Sequence, residues 1–173
     1  MEEPIIAGVA HDRSEAKITV VGLPDVPGTA ARLFEAVARA DVNIDMIVQN
    51  VSATSTGLTD ISFTLPADRL ADAIAVIEAD AAGIGYQDVV TDESIGKISL
   101  VGAGMRSNAG VSATFFAALR DAGVNIEMIS TSDIRISVVT RADLVDAAVR
   151  AVHTAFELDS DEGEAVVYGG TGR

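Results

Sequence analysis

The apolar positions of the chain alternate between two patterns, one typical of β-strands and one typical of α-helices. A β-branched run, ITVVG at residues 18–22, ends in glycine and predicts a buried strand. After a turn closed by Gly28, the segment TAARLFEAVARA at residues 29–40 repeats its apolar side chains every three or four positions, which predicts a helix with one apolar stripe. The members of that stripe are Ala30, Leu33, Phe34 and Val37.

The same pattern occurs twice. KITVVG at residues 17–22 returns as KISLVG at residues 97–102, and VNIDM at residues 42–46 returns as VNIEM at residues 124–128. The first pair is 80 positions apart and the second pair 82. We therefore expect the two extra residues in the loop between them, where LPDVPG becomes AGMRSNAG. An internal repeat of this kind indicates two copies of one structural unit.

Further elements complete each copy. In the first, a strand is expected over residues 43–52 and an alternating strand over residues 58–65, followed by a helix with Pro66 at its start and Gly83 after its end. The closing strands are predicted at residues 85–92 and, in the second copy, 164–170.

Both copies then have the order β-α-β-β-α-β. This α+β plan is the ferredoxin-like one, a four-stranded antiparallel sheet with both helices on one face. The predicted domains are residues 17–92 and residues 93–173. Residues 1–16 are left as an N-terminal segment with an extra edge strand, and the pattern does not identify the copy that this strand joins.

Composition excludes several classes of partner. The chain has 12 basic and 26 acidic residues, a net charge of −14, which repels nucleic acid and anionic lipid. Aromatic residues are 4% of the chain, too few for base stacking, so a ferredoxin-like RNA-binding domain is not expected. Cysteine is absent and no stretch of eighteen apolar residues occurs, so we expect a cytoplasmic protein that does not span a membrane.

Three stretches carry a family resemblance: GLPDVPG at residues 22–28, VNIDMIVQ at 42–49 and VNIEMIST at 124–131. Together with the tandem plan they resemble the paired ACT domains at the C-terminal end of aspartate kinases, above all those of actinobacteria. The resemblance covers essentially the whole chain. It implies a regulatory (beta) subunit that forms a homodimer through its ACT domains and associates with a catalytic (alpha) chain.

The resemblance also implies the role of such a chain. Feedback inhibition by threonine, and by lysine as a further candidate, would reach the kinase that converts aspartate to 4-phospho-aspartate in lysine, threonine and methionine biosynthesis. Some members of the family make this regulatory part as a short second chain from an internal start, and a longer protein cut at the same position would have the same sequence. We expect no catalytic residue, metal or cofactor, because the chain has no phosphate loop with lysine, and Ser107 breaks the G-x-G-x-x-G pattern in VGAGMRSNAG.

A free amino acid needs hydrogen-bond donors for its carboxylate and acceptors for its ammonium group. The backbone N–H groups at residues 28–30 begin a helix and offer such donors, and Asp25 just upstream offers an acceptor. By themselves these residues fit a turn cap and a permissive glycine equally well. The resemblance implies a threonine pocket between ACT units, formed by Asp25, Gly28, Ala30, Gln49, Asn125 and Ile126.

By reciprocal pairing, a second effector pocket is expected. It has no loop acid, but it gathers Asp45 and Asp133, and paired carboxylates suit a long cationic side chain, so lysine is favoured and threonine stays open. The residues expected in this pocket are Asn43, Ile44, Asp45, Val111, Ser112, Ser132 and Asp133.

Two other functions are consistent with the residues. One is an enzyme with His11 or His153 as its base, although His153 near a helix end is explained by the helix dipole and His11 beside Asp12 by a solvated turn. The other is a stand-alone ACT sensor that controls a different biosynthetic enzyme or regulator, since a fold does not determine its partner.

Overall fold

A computed structural model describes residues 5–51, 55–105 and 108–158 of the chain. These residues form two compact units. The first unit is Glu15–Glu93, and the second combines the described residues up to Ser14 with those from Ser94 onward. In chain order the elements are β1 (Ile5–Asp12), β2 (Glu15–Pro24), α1 (Thr29–Arg39), β3 (Ile47–Val51), β4 (Leu58–Pro66), α2 (Leu70–Ala79), α3 (Ala81–Ile84), β5 (Asp88–Asp92), β6 (Ile95–Ala103), α4 (Ala109–Asp121), β7 (Met128–Thr131), β8 (Arg135–Arg141) and α5 (Val145–Ala155).

Each unit has a four-stranded antiparallel sheet, which confirms the predicted α+β, ferredoxin-like fold. The strand order is β3-β4-β2-β5 in the first unit and β1-β6-β8-β7 in the second. The N-terminal strand β1 thus pairs with β6, from Ile5 opposite Ala103 to Asp12 opposite Lys97. It occupies the edge of the second sheet that β5 occupies in the first. The strand predicted at residues 164–170 lies outside the described residues.

The cores form where helices cover one face of each sheet. In the first unit Leu33 and Val37 of α1 pack with Phe63 of β4, and all three are fully buried. Phe115 and Leu119 occupy the same places in the second core, 82 positions later. Each such side chain contributes about 1.5–3 kcal/mol by leaving water. The constant offset along the helix places the two extra residues in the loop before it, as expected.

Several predicted details are wrong. The first predicted strand continues past Gly22 to Pro24, and the closing strand of the first unit begins at Asp88 rather than at residue 85. Ala30 is exposed, and the α1 stripe continues through the buried Ala36 instead. The strand after α1 begins at Ile47 rather than at residue 43, although the Asp45 N–H still donates to the Thr64 carbonyl at 3.0 Å and the Met46 N–H to the Thr64 hydroxyl at 3.2 Å. Gly83 lies inside α3, and the left-handed residue that ends the helix is Gly85, with φ +79°.

Candidate functional site

The first predicted pocket is centred on the loop between β2 and α1. The Asp25 backbone N–H donates to the Gly57 carbonyl at 2.8 Å, and the Thr29 hydroxyl donates to the Pro24 carbonyl at 2.8 Å. Gly28 has φ +95°, a left-handed conformation that glycine adopts without strain. These contacts fix the backbone of the loop while the Asp25 side chain remains exposed to solvent.

The start of α1 has no side-chain cap in the described part of the chain, and Gly28 is the residue before the first turn. The first turn also carries no acidic residue. The N–H groups of a helix start are hydrogen-bond donors with a partial positive charge, so this one can accept an anionic group such as a carboxylate.

The corresponding helix start in the second unit is already occupied. The Asn108 side-chain oxygen accepts a hydrogen bond from the Gly110 N–H at 3.1 Å. One backbone hydrogen bond is equivalent in the two loops, since Thr29 N–H donates to the Val26 carbonyl at 3.3 Å and Val111 N–H to the Asn108 carbonyl at 3.2 Å, although α4 begins two residues before Val111. Asparagine before a helix is a common capping residue, so this difference could have been found from the sequence.

Gln49 lies at the same end of the first sheet as the Asp25 loop. Its side-chain nitrogen donates to the Thr59 hydroxyl at 3.3 Å, and that hydroxyl donates to the Asn50 carbonyl at 2.7 Å. Thr59 is 3% exposed and pairs with Leu23 at the end of β2. Buried Thr59, which the sequence did not single out, therefore holds the Gln49 amide beside the loop.

The second unit has an open cavity at the equivalent place. Its volume is about 420 Å³, and it lies between the start of α4 and the turn from β7 to β8. It brings together three residues of the second predicted pocket, Ser112, Ser132 and Asp133. Val111 packs in the core instead, with 5% of its surface exposed. The cavity is lined by Met105, Asn108, Ala109, Ser112, Thr131, Ser132, Asp133 and Ile136.

The two Asn-Ile pairs have similar settings. Asn43 and Asn125 are exposed, and Ile44 and Ile126 are half-buried. The Thr140 hydroxyl donates to the Asn125 carbonyl at 2.6 Å, which holds the segment before β7. Asp45 at the end of the first pair is exposed, and its N–H donates to the Thr64 carbonyl at 3.0 Å. Asn43 and Ile44 belong to the first unit, and Asn125 and Ile126 belong to the second. Each pair is expected to form a pocket with the loop of the other kind of unit.

Within residues 5–51, 55–105 and 108–158, no group of three His, Asp or Glu side chains could hold a metal ion. In the same ranges, none of the helices is both long and apolar enough to cross a membrane. His11 lies in β1 opposite Ile98, and His153 lies in the last turn of α5.

The fold and the loop sites define a pair of ACT domains, and comparison with known proteins agrees. The ACT domain family matches residues 18–80 and 98–156. The aspartokinase of Mycolicibacterium smegmatis is 58% identical over all 173 residues, although the chain spans only 41% of that protein. The regulatory subunit of aspartate kinase from Thermus thermophilus, solved without ligand, is 40% identical with a TM-score of 0.82; the match covers 88% of this chain and 99% of that one.

A structure of aspartokinase alpha and beta subunits gives a similar match, with 39% identity and a TM-score of 0.81 over 88% of this chain and 99% of that one. The chain therefore belongs to the family of aspartate kinase regulatory regions built from paired ACT domains. It spans less than half the length of the curated relatives it matches.

Proposed function

We propose that this chain is the regulatory subunit of an aspartate kinase, that it acts in the cytoplasm, and that it binds threonine at the first predicted pocket. Its ACT domains would pair in a homodimer and associate with the catalytic alpha chain. Support comes from the regulatory subunits that match the chain along most of its length. The kinase would transfer phosphate to the side-chain carboxylate of aspartate, and this chain would carry the feedback signal.

The observation that carries the threonine assignment is the uncapped start of α1 next to Asp25. A threonine carboxylate would accept hydrogen bonds from the N–H groups at Gly28 and Ala30, and the Asp25 carboxylate would accept from its ammonium group. Gln49 would contact the small hydroxyl-bearing side chain. When a first unit pairs with a second unit, Asn125 and Ile126 of the second unit would close the pocket.

For the second pocket we propose lysine. Asn108 already uses the Gly110 N–H, so this site has one donor fewer for a carboxylate than the first. Its cavity contains Asp133 together with the hydroxyls of Ser112 and Ser132, and the proposed pairing would add Asp45. Such a site would recognise its ligand mainly by a cationic side chain.

Inhibition requires that effectors bind two arrangements of the subunits with different affinity. A ligand held between paired ACT units stabilises the paired arrangement, and a coupling of about 1–3 kcal/mol would change affinity roughly 5- to 150-fold. The kinase would be less active in the arrangement that threonine favours.

The direct test is a thermal-unfolding screen of the chain with each of the common free amino acids. Threonine should raise the melting temperature progressively with its concentration, since it binds only the folded form. Serine and valine, which each lack one feature of threonine, are the matched controls and should act more weakly. A threonine response no larger than that of valine would refute the assignment.

A further inference from the structure

A second concave surface lies on the first unit, away from the predicted effector loop. It is a groove of about 630 Å³ between α2 and the edge strand β5, a volume within the usual range of roughly 300–1,000 Å³ for ligand sites. Its floor is formed by half-buried Leu70, Ile74 and Val89. Its rim carries three exposed carboxylates, those of Asp68, Glu78 and Glu93.

The second unit allows this groove to be compared with a matching one. Lys17 stands opposite Asp92 in the first sheet, and Lys97 stands opposite Asp12 in the second, so β5 and β1 occupy equivalent positions. The register makes Val89 equivalent to Val9 and Glu93 equivalent to Arg13.

The helices of the two units align in the same way. Ala73 and Ile77 are the buried residues of α2, and they match Ala148 and Val152 of α5. This alignment makes Ala71 equivalent to Asp146.

In the second unit the equivalent groove is closed by the chain itself. The Arg13 guanidinium donates to the Asp146 carboxylate at 2.6 Å and ties the end of β1 to α5. Val9 and Val145, the equivalents of Val89 and Leu70, are 1% and 0% exposed. In the first unit the corresponding pair is Glu93 and Ala71, which cannot form an ion pair, and the apolar floor stays accessible.

The charged residues that line the open groove are all acidic. Among its lining residues in the described part of the chain there is no lysine, arginine or histidine. The nearby Arg69 is directed elsewhere, since it donates to the Ala40 carbonyl at 2.7 Å and its guanidinium lies 3.1 Å from the Asp72 carboxylate. Burial and the negative charge of Glu78 together raise the pKa of Tyr86.

We propose that the α2–β5 groove docks a segment of the kinase portion of the same enzyme, one that carries an aliphatic side chain flanked by arginine or lysine. The inference rests on the proposed function, because it takes the kinase as the partner. The occupant would cover in the first unit the apolar surface that the ion pair of Arg13 and Asp146 covers in the second. An acidic rim around an apolar floor is complementary to this kind of segment and repels an acidic one.

The size of the relatives supports a partner of this kind. The chain spans 41% of the M. smegmatis aspartokinase, so most of that protein is available to contact the regulatory units. A feedback signal also needs contact between the regulatory units and the kinase. The groove is separate from the loop and strand that form the proposed threonine pocket, so both can be occupied at once.

The chain contains no cysteine, which permits a clean cross-linking test. Ala75→Cys places a single thiol on the groove wall, and Ala38→Cys places one on an exposed position of α1 as the control. Each variant is labelled with a benzophenone maleimide and assembled with the catalytic chain of its own enzyme. Mass spectrometry of the illuminated complex should show cross-links from position 75, but not from position 38, to a basic segment of that catalytic chain.

A closing variant tests the groove itself. Ala71→Asp with Glu93→Arg recreates the ion pair of Arg13 and Asp146 and should cover the floor. We expect it to reduce the cross-link yield from position 75 at least tenfold. The control variant makes the same two kinds of substitution on α1, Glu35→Arg with Ala38→Asp. It should leave the cross-link yield from position 75 unchanged.

The outcomes separate this inference from the proposed function. An absence of cross-links from position 75 to the kinase portion, or an equal yield in the closing variant, would overturn the docking proposal. Threonine should still raise the melting temperature of every variant, because none touches the effector loop. Cross-links that persist while threonine fails to stabilise any of these proteins would support docking and refute the threonine assignment.

Discussion

The Asp25 side chain offers the sharpest test of the threonine pocket. Asp25→Asn keeps the size of the side chain and removes its charge. The backbone N–H of residue 25 still donates to the Gly57 carbonyl, so the loop should keep its conformation. Because the side chain is exposed, the ligand-free protein should unfold at an unchanged temperature.

The effect on binding follows from the loss of the proposed contact with the ligand ammonium group. An exposed ion pair contributes up to about 1 kcal/mol, and a charged hydrogen bond shielded from water contributes about 1.5–3 kcal/mol. The pocket lies between these limits, so threonine affinity should fall roughly 5- to 150-fold.

Two measurements report this change. Calorimetry gives the dissociation constant directly. In thermal unfolding, threonine at 100 times the dissociation constant of the unaltered chain stabilises it by about 2.7 kcal/mol, and a tenfold loss of affinity would reduce this to about 1.4 kcal/mol. Glu35→Gln, on the exposed face of α1, is the control for the loss of one negative charge. An unchanged dissociation constant for Asp25→Asn would remove Asp25 from the site.

Three further changes test the structure of the second unit. Asn108→Ala removes the helix cap and should cost about 1 kcal/mol of stability, measured by urea unfolding, and loss of stability within error of zero would contradict the capping role. Phe115→Ala removes a fully buried ring and should cost about 3–5 kcal/mol, seen as a large fall in melting temperature; a fall no larger than that of Asn108→Ala would contradict its place in the core. Arg13→Ala removes the ion pair with Asp146, whose pKa is lowered by the hydrogen bond and the charge of Arg13. The pair therefore stabilises the folded chain above the ordinary pKa of aspartate and stops doing so as the pH falls through the lowered pKa, so the two proteins should differ in melting temperature at pH 7 and converge in acid. A difference that grows in acid would exclude this pair as its source.

Much of the fold could be predicted from the sequence, because the spacing of the apolar residues and the internal repeat both indicate it. The buried residues of α1 and α4 recur at a fixed offset, and the strands before them contain the matching runs ITVVG and ISLVG, although both strands extend past the glycine. The partner of β1 could not be predicted, since Ile5–Asp12 has no equivalent in the repeat pattern and its pairing with β6 depends on tertiary contacts. One such contact is the close approach of the Ile5 backbone to Gly102, where an added Cβ would collide with the Ile5 carbonyl oxygen.

The candidate site was predictable in part, and for a different reason. The loop containing Asp25 and Gly28 could be located by turn chemistry, and the place of Gln49 followed from the resemblance. The sequence did not show that Thr59 holds the Gln49 amide, because the two residues are brought together only by the pairing of β3 with β4. The open α2–β5 groove also became apparent only when the two sheets were compared in register.

The central claim is that backbone N–H groups at the start of α1 hold the carboxylate of the effector, whereas those at the start of α4 do not. Amide chemical shifts of the isotope-labelled chain, followed during a threonine titration, test this most directly. We predict saturable shifts at Gly28, Thr29 and Ala30, with much smaller shifts at Ala109 and Gly110. Shifts of equal size at both helix starts, or none at residues 28–30 while threonine binds, would contradict it.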